Sequence, residues 1–407
     1  MQEIFDLIEK EQKRQEETLM LIPSENYTYP EVREALGSFL VHKYAEGYPG
    51  KRYYQGNEFA DRIENLAIEE AKKLFGVPFA NVQPYSGSPA NAAVYFALLN
   101  PGDGIMGLEL SSGGHLTHGH PKITFSGKYF KSIRYGINQE KEDHFDFEEI
   151  RRVALEERPK IIVAGTTAFP RTLNWEKFSG IAEETGAYLM ADISHIAGLV
   201  AGGVHPSPVP YAHIITSTTH KTLRGPRGAI ILVTEKGLEK DKELGDKINK
   251  AVFPGLQGGP HLHTIAGIAV SLNKAGSDPF KEYAGQIVKN AKELSGELIS
   301  LGFDLVTGGT DNHLMVLDLR KIEVDGKTAA VSLEESGIVL NANTIPNDPN
   351  PPYRPSGIRL GTPGITTRGM KEEEMKEIAG LIKQVLIEKK NVFKKVKTLC
   401  EKYPIPK

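Results

Sequence analysis

Cysteine is almost missing from this chain of 407 residues: Cys400 is the only one, which excludes an internal disulfide and a cysteine-built metal site. Such scarcity fits a reducing compartment, and the expectation is a soluble, cytoplasmic protein. Excess charge of either sign is missing as well. Lys and Arg number 49 against 52 Asp and Glu, a formal net charge of −3, so nothing favours nucleic acid or an anionic membrane as partner. No apolar run has the roughly 20 residues needed to span a bilayer. The opening Met1-Gln2-Glu3-Ile4-Phe5-Asp6 is acidic and amphipathic, unlike a secretory signal. Nucleotide signatures are also lacking. Gly326-Lys327-Thr328 imitates the end of a P-loop, but Lys321 stands where its first glycine belongs, and no Gly-x-Gly-x-x-Gly joins a strand to a helix. Internal repeats and low-complexity tracts are absent.

What is present is an ordinary globular composition, 40% apolar and 25% charged, at a length that suits a large domain plus a smaller one. Residues 1–19 read as an exposed, charged helix, followed by Pro23-Ser24-Glu25-Asn26, where Ser24 is placed to cap the next element. Between about 80 and 235, short apolar runs (104–110, 160–164, 187–191, 213–216, 229–233) alternate with helical patterns (87–99, 147–157, 175–185). This alternation predicts a mainly parallel, doubly wound α/β sheet, whose carboxyl edge is where such sheets place ligands. Beyond Pro260 the pattern changes to a long helical region over 261–301, strands near 303–306 and 314–319, a helix over 327–336, a short strand at 338–340, an Asn- and Pro-rich loop over 341–356, and terminal helices. The expected division is a helical arm over 1–25, a large domain over 26–280 and a small α+β domain over 281–407.

Several constellations follow the apolar runs. Lys221 lies in Ser217-Thr218-Thr219-His220-Lys221-Thr222-Leu223-Arg224-Gly225-Pro226-Arg227-Gly228, a turn too rich in small and polar residues for a core, where it is either a surface-loop lysine or one held in a sheltered site. A lysine that sheds its proton there can attack a carbonyl and form a Schiff base. Tyr85-Ser86-Gly87-Ser88-Pro89-Ala90-Asn91 opens a helix with small hydroxyl residues, either a plain cap or a cradle for an anion. Asp192 ends a strand, where it either neutralises a bound cation or caps the next helix, and His195 follows three residues on. Gly113-Gly114-His115-Leu116-Thr117-His118-Gly119-His120 lacks metal-ligand spacing, and no metal is expected; one of its rings is as well suited to stack on a flat ligand. The doublet Gly258-Gly259 and Arg359 are candidate anion groups. Four tyrosines and Glu46 crowd the segment from Lys43 to Tyr54, which suggests an interface or an active-site loop with Glu46 as proton carrier.

One ligand would use all of these. Pyridoxal 5′-phosphate needs a lysine for its aldehyde, an acid for its pyridine nitrogen, a helix start for its phosphate and something flat on its ring.

The chain resembles the serine hydroxymethyltransferases over nearly its whole length. The resemblance is carried by Leu21-Ile22-Pro23-Ser24-Glu25-Asn26, Tyr44-Ala45-Glu46-Gly47-Tyr48-Pro49-Gly50, Gly114-His115-Leu116-Thr117-His118-Gly119, the segment from Thr219 to Gly228, Thr310-Asp311-Asn312-His313 and Arg359-Leu360-Gly361-Thr362-Pro363. It implies the fold type I architecture of pyridoxal-phosphate enzymes, and a homodimer, with a tetramer left open, whose active sites are shared. It also implies transfer of the hydroxymethyl carbon of serine to tetrahydrofolate, giving glycine. By the same resemblance Lys221 carries the cofactor covalently, Asp192 pairs with the pyridine nitrogen and His115 stacks on the ring. His195 and Thr167 stand near the phenolic oxygen. Ser86, Gly87 and Ser88 hold the phosphate with the partner subunit's Tyr44 and the partner subunit's Gly259. Arg359 binds the substrate carboxylate, with Ser24 and His220 nearby, and the partner's Glu46 and the partner's Tyr54 handle the hydroxymethyl group. Thr218 belongs with the catalytic set. Tyr53, Leu110, Gly114, Leu116 and Asn343 fall in the folate pocket. Departures from the family's usual pattern are Tyr85, Pro89, Ser111-Ser112, Thr167 and Arg354, none of which removes a core role. Rival readings are a threonine or 3-hydroxy amino-acid aldolase, an α-methylserine hydroxymethyltransferase and a silent binding protein of the same fold. The presence of Lys221, Glu46 and Arg359 argues against the last.

Overall fold

Short, fully apolar segments in this sequence are strands buried on both faces. The computed structural model describes residues 1–407. Seven strands make one sheet: β1 (Phe79–Asn81), β2 (Gly104–Leu108), β3 (Lys131–Tyr135), β4 (Ile161–Gly165), β5 (Tyr188–Asp192), β6 (Ile214–Thr218) and β7 (Ala229–Val233). Their order is β1-β7-β6-β5-β4-β2-β3. From β6 through β3 every pairing is parallel, while β7 runs antiparallel to both β6 and β1. β2, β4, β6 and β7 are buried at every position, the pattern of strands covered by helices on both sides. The fold is α/β, with a mixed, mainly parallel central sheet, as expected. Among the helices on this sheet, Gly87–Leu98, Phe147–Glu157 and Trp175–Thr185 lie where the periodicity predicts them, the latter two started by the side chains of Asp146 and Asn174. No helix is long and apolar enough to cross a membrane.

The chain divides into two compact units. One comprises residues 28–167 and 172–282 and contains the seven-stranded sheet; the other comprises 1–27, 168–171 and 283–407. In the second, β8 (Asp304–Leu305), β9 (Leu314–Asp318), β10 (Asn341–Asn343) and β11 (Gly357–Gly361) form an antiparallel sheet in the order β8-β9-β11-β10. Its core gathers Leu19 and Leu21 with Leu317, Leu333, Ile358 and Ile382. The helix Gln2–Glu17 buries none of its residues, whereas Leu19–Met20 pairs in parallel with Ile338–Val339.

The helical region over 261–301 is present as two helices, Leu262–Ala275 and Asp278–Ser300, parted at Gly276-Ser277. Three local expectations are corrected. The Asn-rich stretch after 340 begins with strand β10, an edge strand whose partly exposed polar residues hide the signal. Ser24 caps no helix, since the next one starts at Pro30 behind Tyr29. Asp192 caps none either: the helix Ala197–Ala201 has Ile196 at its start, and Asp192 turns back on Ser194 instead.

Candidate active site

Parallel strands place the residues that follow them along one edge, and the sequence candidates of the first unit sit there. Ser86–Ser88 follow β1, His115 follows β2, Thr167 follows β4, Asp192 ends β5, and Thr218 ends β6 three residues before Lys221. Asp192 is in register with Gly165 on one side and Thr216 on the other. A Cβ on Gly165 would stand 2.6 Å from the Asp192 carbonyl, so the strands meet this closely only because residue 165 is glycine.

The Asp192 carboxylate is buried and surrounded by donors. Oδ1 accepts from the Ser194 hydroxyl at 2.6 Å and the Ser194 N–H at 3.1 Å. Oδ2 accepts from Asn91 Nδ2 at 2.9 Å and meets His118 Nε2 at 3.0 Å. His118 Nδ1 accepts the His115 N–H at 3.3 Å, so a neutral His118 carries its proton on Nε2 and donates to Asp192. Burial opposes the charge, but the hydrogen bonds from His118 and Asn91 outweigh it and hold the carboxyl well below the usual carboxylate range. No Arg or Lys stands within ion-pair distance of it. An ionised carboxylate is thus kept in a buried place with donors but no resident lysine or arginine partner, a setting made for a cation that arrives with a ligand.

His115 is fixed from behind. Its Nδ1 lies 2.7 Å from the Thr117 hydroxyl and accepts the Thr117 N–H at 3.2 Å. Thr117 Oγ1 accepts from Asn91, whose Oδ1 accepts from Thr216 on β6 at 2.7 Å, so one chain of bonds runs from the sheet to the ring. Burial, with His118 and Lys221 adding, lowers the His115 pKa to about 4. A neutral ring is what stacking on a flat ligand needs.

Burial likewise lowers His213 to about 4 and His220 to about 3. An unfolded chain carries these groups near 6.5. Between these values it binds more protons than the folded chain, so stability is full above about pH 6.5 and is lost as pH falls toward 4. Urea unfolding at stepped pH should show that decline, and His115→Asn should make it shallower; an unchanged slope in the variant would contradict the neutral assignment.

The helix Gly87–Leu98 starts at Ser86, whose side chain does not cap it, leaving the first-turn N–H groups of Gly87 and Ser88 open to an anion. A Cβ on Gly87 would come within 2.7 Å of Thr218 Cγ2, so only glycine keeps this cradle clear. Thr218 is itself tied to Ser194, its N–H donating to Oγ at 3.1 Å.

Lys221 is buried, in a loop pinned on both sides. Thr219 N–H donates to Gly228 O, Gly225 N–H to Thr219 O, and Arg224 N–H to Lys221 O. Thr222 Oγ1 donates to the carbonyl of His195 at 3.1 Å, which links the lysine loop to the segment after Asp192. His220 Nε2 lies 3.1 Å from the Arg227 guanidinium, which can only donate, so the ring's proton is on Nδ1. That Nδ1 is buried and meets no acceptor in the protein. Thr167 donates its hydroxyl to the carbonyls of Gly113 and Gly114 at 3.2 and 3.1 Å.

The tyrosine-rich segment forms a second group within the same unit. Tyr44 and Tyr54 meet edge to face at 5.3 Å, and a Cβ on Gly259 would lie 3.6 Å from both Tyr44 Cε1 and Glu46 Cγ. Tyr85 joins them, its hydroxyl donating to Gly259 O at 2.8 Å and its ring stacked on His261. Tyr53 packs edge-on against Phe253 and remains largely exposed. Leu110 and Leu116 are exposed apolar side chains in the loop after β2, and Gly114 has no room for a Cβ, which would stand 2.0 Å from Leu108 O.

In the other unit, Arg359 is the central residue of β11, opposite Val316 on β9 and Asn341 on β10. Its Nε donates to Asn341 Oδ1 at 3.1 Å, and burial lowers its pKa to about 10, still charged at neutral pH. Gly361 N–H donates to Leu21 O, and a Cβ there would meet Pro23 at 2.9 Å, which lays the Ser24 segment alongside β11. Asn343 ends β10 and donates to Thr344 O at 2.6 Å.

Sequence reasoning missed Asn91 and His118 as functional residues. His118 was visible only as part of a histidine run without metal spacing, and the partner that gives it meaning is 74 residues away.

Comparison with known proteins is consistent along the chain. The family model described as Serine hydroxymethyltransferase matches residues 1–382. A protein named serine hydroxymethyltransferase from Acidothermus cellulolyticus is 56% identical over 382 residues, covering 94% of this chain and 87% of that relative.

Proposed function

The chain belongs to the serine hydroxymethyltransferase family, and from that membership we propose which side chains carry out its reaction. The enzyme depends on pyridoxal 5′-phosphate and moves the hydroxymethyl carbon of serine reversibly to tetrahydrofolate, leaving glycine and 5,10-methylenetetrahydrofolate. When bound, the cofactor supplies a protonated pyridine ring that draws in the electrons of a breaking bond at the amino acid's Cα.

The buried, ionised Asp192 is the observation that carries this reading, because a carboxylate so placed suits a pyridinium nitrogen. Lys221 holds the cofactor's aldehyde carbon covalently. Asp192 keeps the proton on the ring nitrogen, and His118 and Asn91 keep Asp192 ionised and oriented. His115 would pack on the ring face, and Thr167 and His195 would serve the phenolic oxygen. Ser86, Gly87 and Ser88 hold the phosphate together with the partner subunit's Tyr44 and the partner subunit's Gly259.

Arg359 would grip the amino-acid carboxylate with its planar fork and so fix the orientation of the substrate. Ser24 and His220 serve the same carboxylate, and Thr218 belongs with the catalytic set; His220 has its unpartnered Nδ1–H to offer an acceptor. The partner subunit's Glu46, with the partner's Tyr54, moves the proton on the serine hydroxyl as the one-carbon unit departs, a task worth about 10²–10⁴-fold. Tyr53, Leu110, Gly114, Leu116 and Asn343 line the folate pocket. The family is oligomeric; a homodimer is the least unit and the cytoplasm the place of work.

Purified protein given serine should form glycine far faster when tetrahydrofolate is added. Serine cleavage indifferent to every pterin carrier, alongside good cleavage of threonine, would make the protein an aldolase instead.

A further inference from the structure

Glu46 lies in a segment with little regular structure, flanked by the two-residue strands Gly47–Tyr48 and Lys51–Arg52. Its tyrosines 44, 53 and 54 are exposed, while Ala45 is buried and the Tyr48 ring packs edge-on against Phe253. A buried cation ties down the backbone around Glu46 itself. Arg52 Nη1 donates to Ala45 O at 2.8 Å and to Gly47 O at 2.8 Å, the carbonyls on either side of Glu46. The carbonyl of Glu46 itself accepts the Tyr53 N–H at 3.1 Å. Gly47 is required here, with φ of +98° and no room for a Cβ, which would stand 2.4 Å from Lys51 O.

The rest of the guanidinium is anchored to regular structure. Nε reaches Asp61 at 2.8 Å and Nη2 reaches Glu64 at 2.6 Å, both on the helix Glu58–Phe75. The second oxygen of Glu64 accepts from Gln83, two residues past β1, at 2.7 Å, and the same Gln83 amide donates to Gly47 O at 2.9 Å. The Arg52 and Glu64 side chains are 3% and 1% exposed. Burial holds the Glu64 carboxyl above its ordinary pKa even beside Arg52. Desolvation of this depth offsets much of a pair's attraction, so the pair is a poor source of stability. What it does supply is direction, since its donors converge on the backbone around one residue.

We propose that Arg52, oriented by Glu64, Asp61 and Gln83, is a positioning residue that clamps the backbone on both sides of Glu46 and so sets where the Glu46 carboxyl stands during hydroxymethyl transfer. This rests on the proton-carrying role given to Glu46 above. A displacement of about 1 Å of a catalytic group costs on the order of 10²-fold in rate. Lysine at 52 keeps the charge but lacks the fork that reaches two carbonyls and two carboxylates.

The test is a double-mutant cycle on the holoenzyme, with serine and tetrahydrofolate as substrates. Arg52→Lys should lower kcat by about 10²-fold, with serine KM and the visible absorbance of bound cofactor near wild type. Glu46→Gln should lower kcat as well, and adding Arg52→Lys to it should cost little more, because the clamp then has nothing to position. Equal losses from Arg52→Lys in both backgrounds would overturn the clamp while leaving the role of Glu46 intact, as would unchanged kcat in Arg52→Lys alone. Full activity in Glu46→Gln would overturn that role and the clamp with it. Should Arg52→Lys fail to fold, Glu64→Gln, which loosens the same guanidinium without removing it, takes its place in the cycle under the same criteria.

Discussion

Lys221→Ala should leave a folded protein that no longer binds its cofactor covalently and whose serine turnover is lower by roughly 10⁴–10⁶-fold, the range for removing one member of a catalytic unit. The fold should survive because the loop is held by its backbone. The bonds from Thr219 to Gly228, from Gly225 to Thr219 and from Arg224 to the carbonyl of residue 221 do not involve the lysine side chain. Thr222 keeps its two contacts, to His195 O and from Gly198 N–H. The visible absorbance of lysine-bound cofactor should therefore vanish without a large fall in Tm. Borohydride treatment distinguishes the cases cleanly: it should fix the cofactor's mass onto the parent protein and not onto the variant. Cofactor mass fixed on the variant would mean that another amine does this work.

The same loop shows what a sequence can and cannot disclose. Lys221 was legible because a lysine among glycines and hydroxyls, directly after an apolar strand, is odd by local standards alone. Asp192 was legible for the same reason, as a carboxylate ending a run of apolar residues. The strands over Ile161–Gly165 and Ala229–Val233 were legible because burial on both faces leaves no polar side chain in them.

β3 was not. Lys131-Ser132-Ile133-Arg134-Tyr135 is an edge strand that buries only Ile133 and Tyr135, and alternation that brief is lost among loops. His118, Asn91 and Arg52 escaped for a different reason. Each owes its role to contacts made across the fold: Asn91 spans 101 residues to Asp192 and 125 to Thr216. Local pattern carries no trace of such pairings. By its neighbours alone Arg52 is one more charge in a tyrosine-rich loop, and its burial arises only once helix Glu58–Phe75 and Gln83 have closed around it.

Arg359 should prove the larger determinant of substrate affinity. Arg359→Ala should raise the serine KM by roughly 10²–10³-fold, the range for removing one member of a buried, hydrogen-bonded charge pair. Arg359→Lys should fall between, because an ammonium keeps the charge but cannot bind both carboxylate oxygens in one plane. In neither variant should the absorbance of bound cofactor disappear, since that depends on Lys221. Spectral titration with glycine gives the affinity directly, and near-wild-type affinity in Arg359→Ala would remove the residue from the site. The physical case lies in where the guanidinium has been put. Sheet pairing opposite Val316 and Asn341 fixes its backbone on both sides, and Asn341 holds its Nε. Burial has already displaced its pKa downward to about 10, so water has been stripped from a charge that remains. A cation in that condition gains more from an arriving carboxylate than a solvated one does, because the attraction acts through a medium of low dielectric and much of the dehydration cost has been met by folding.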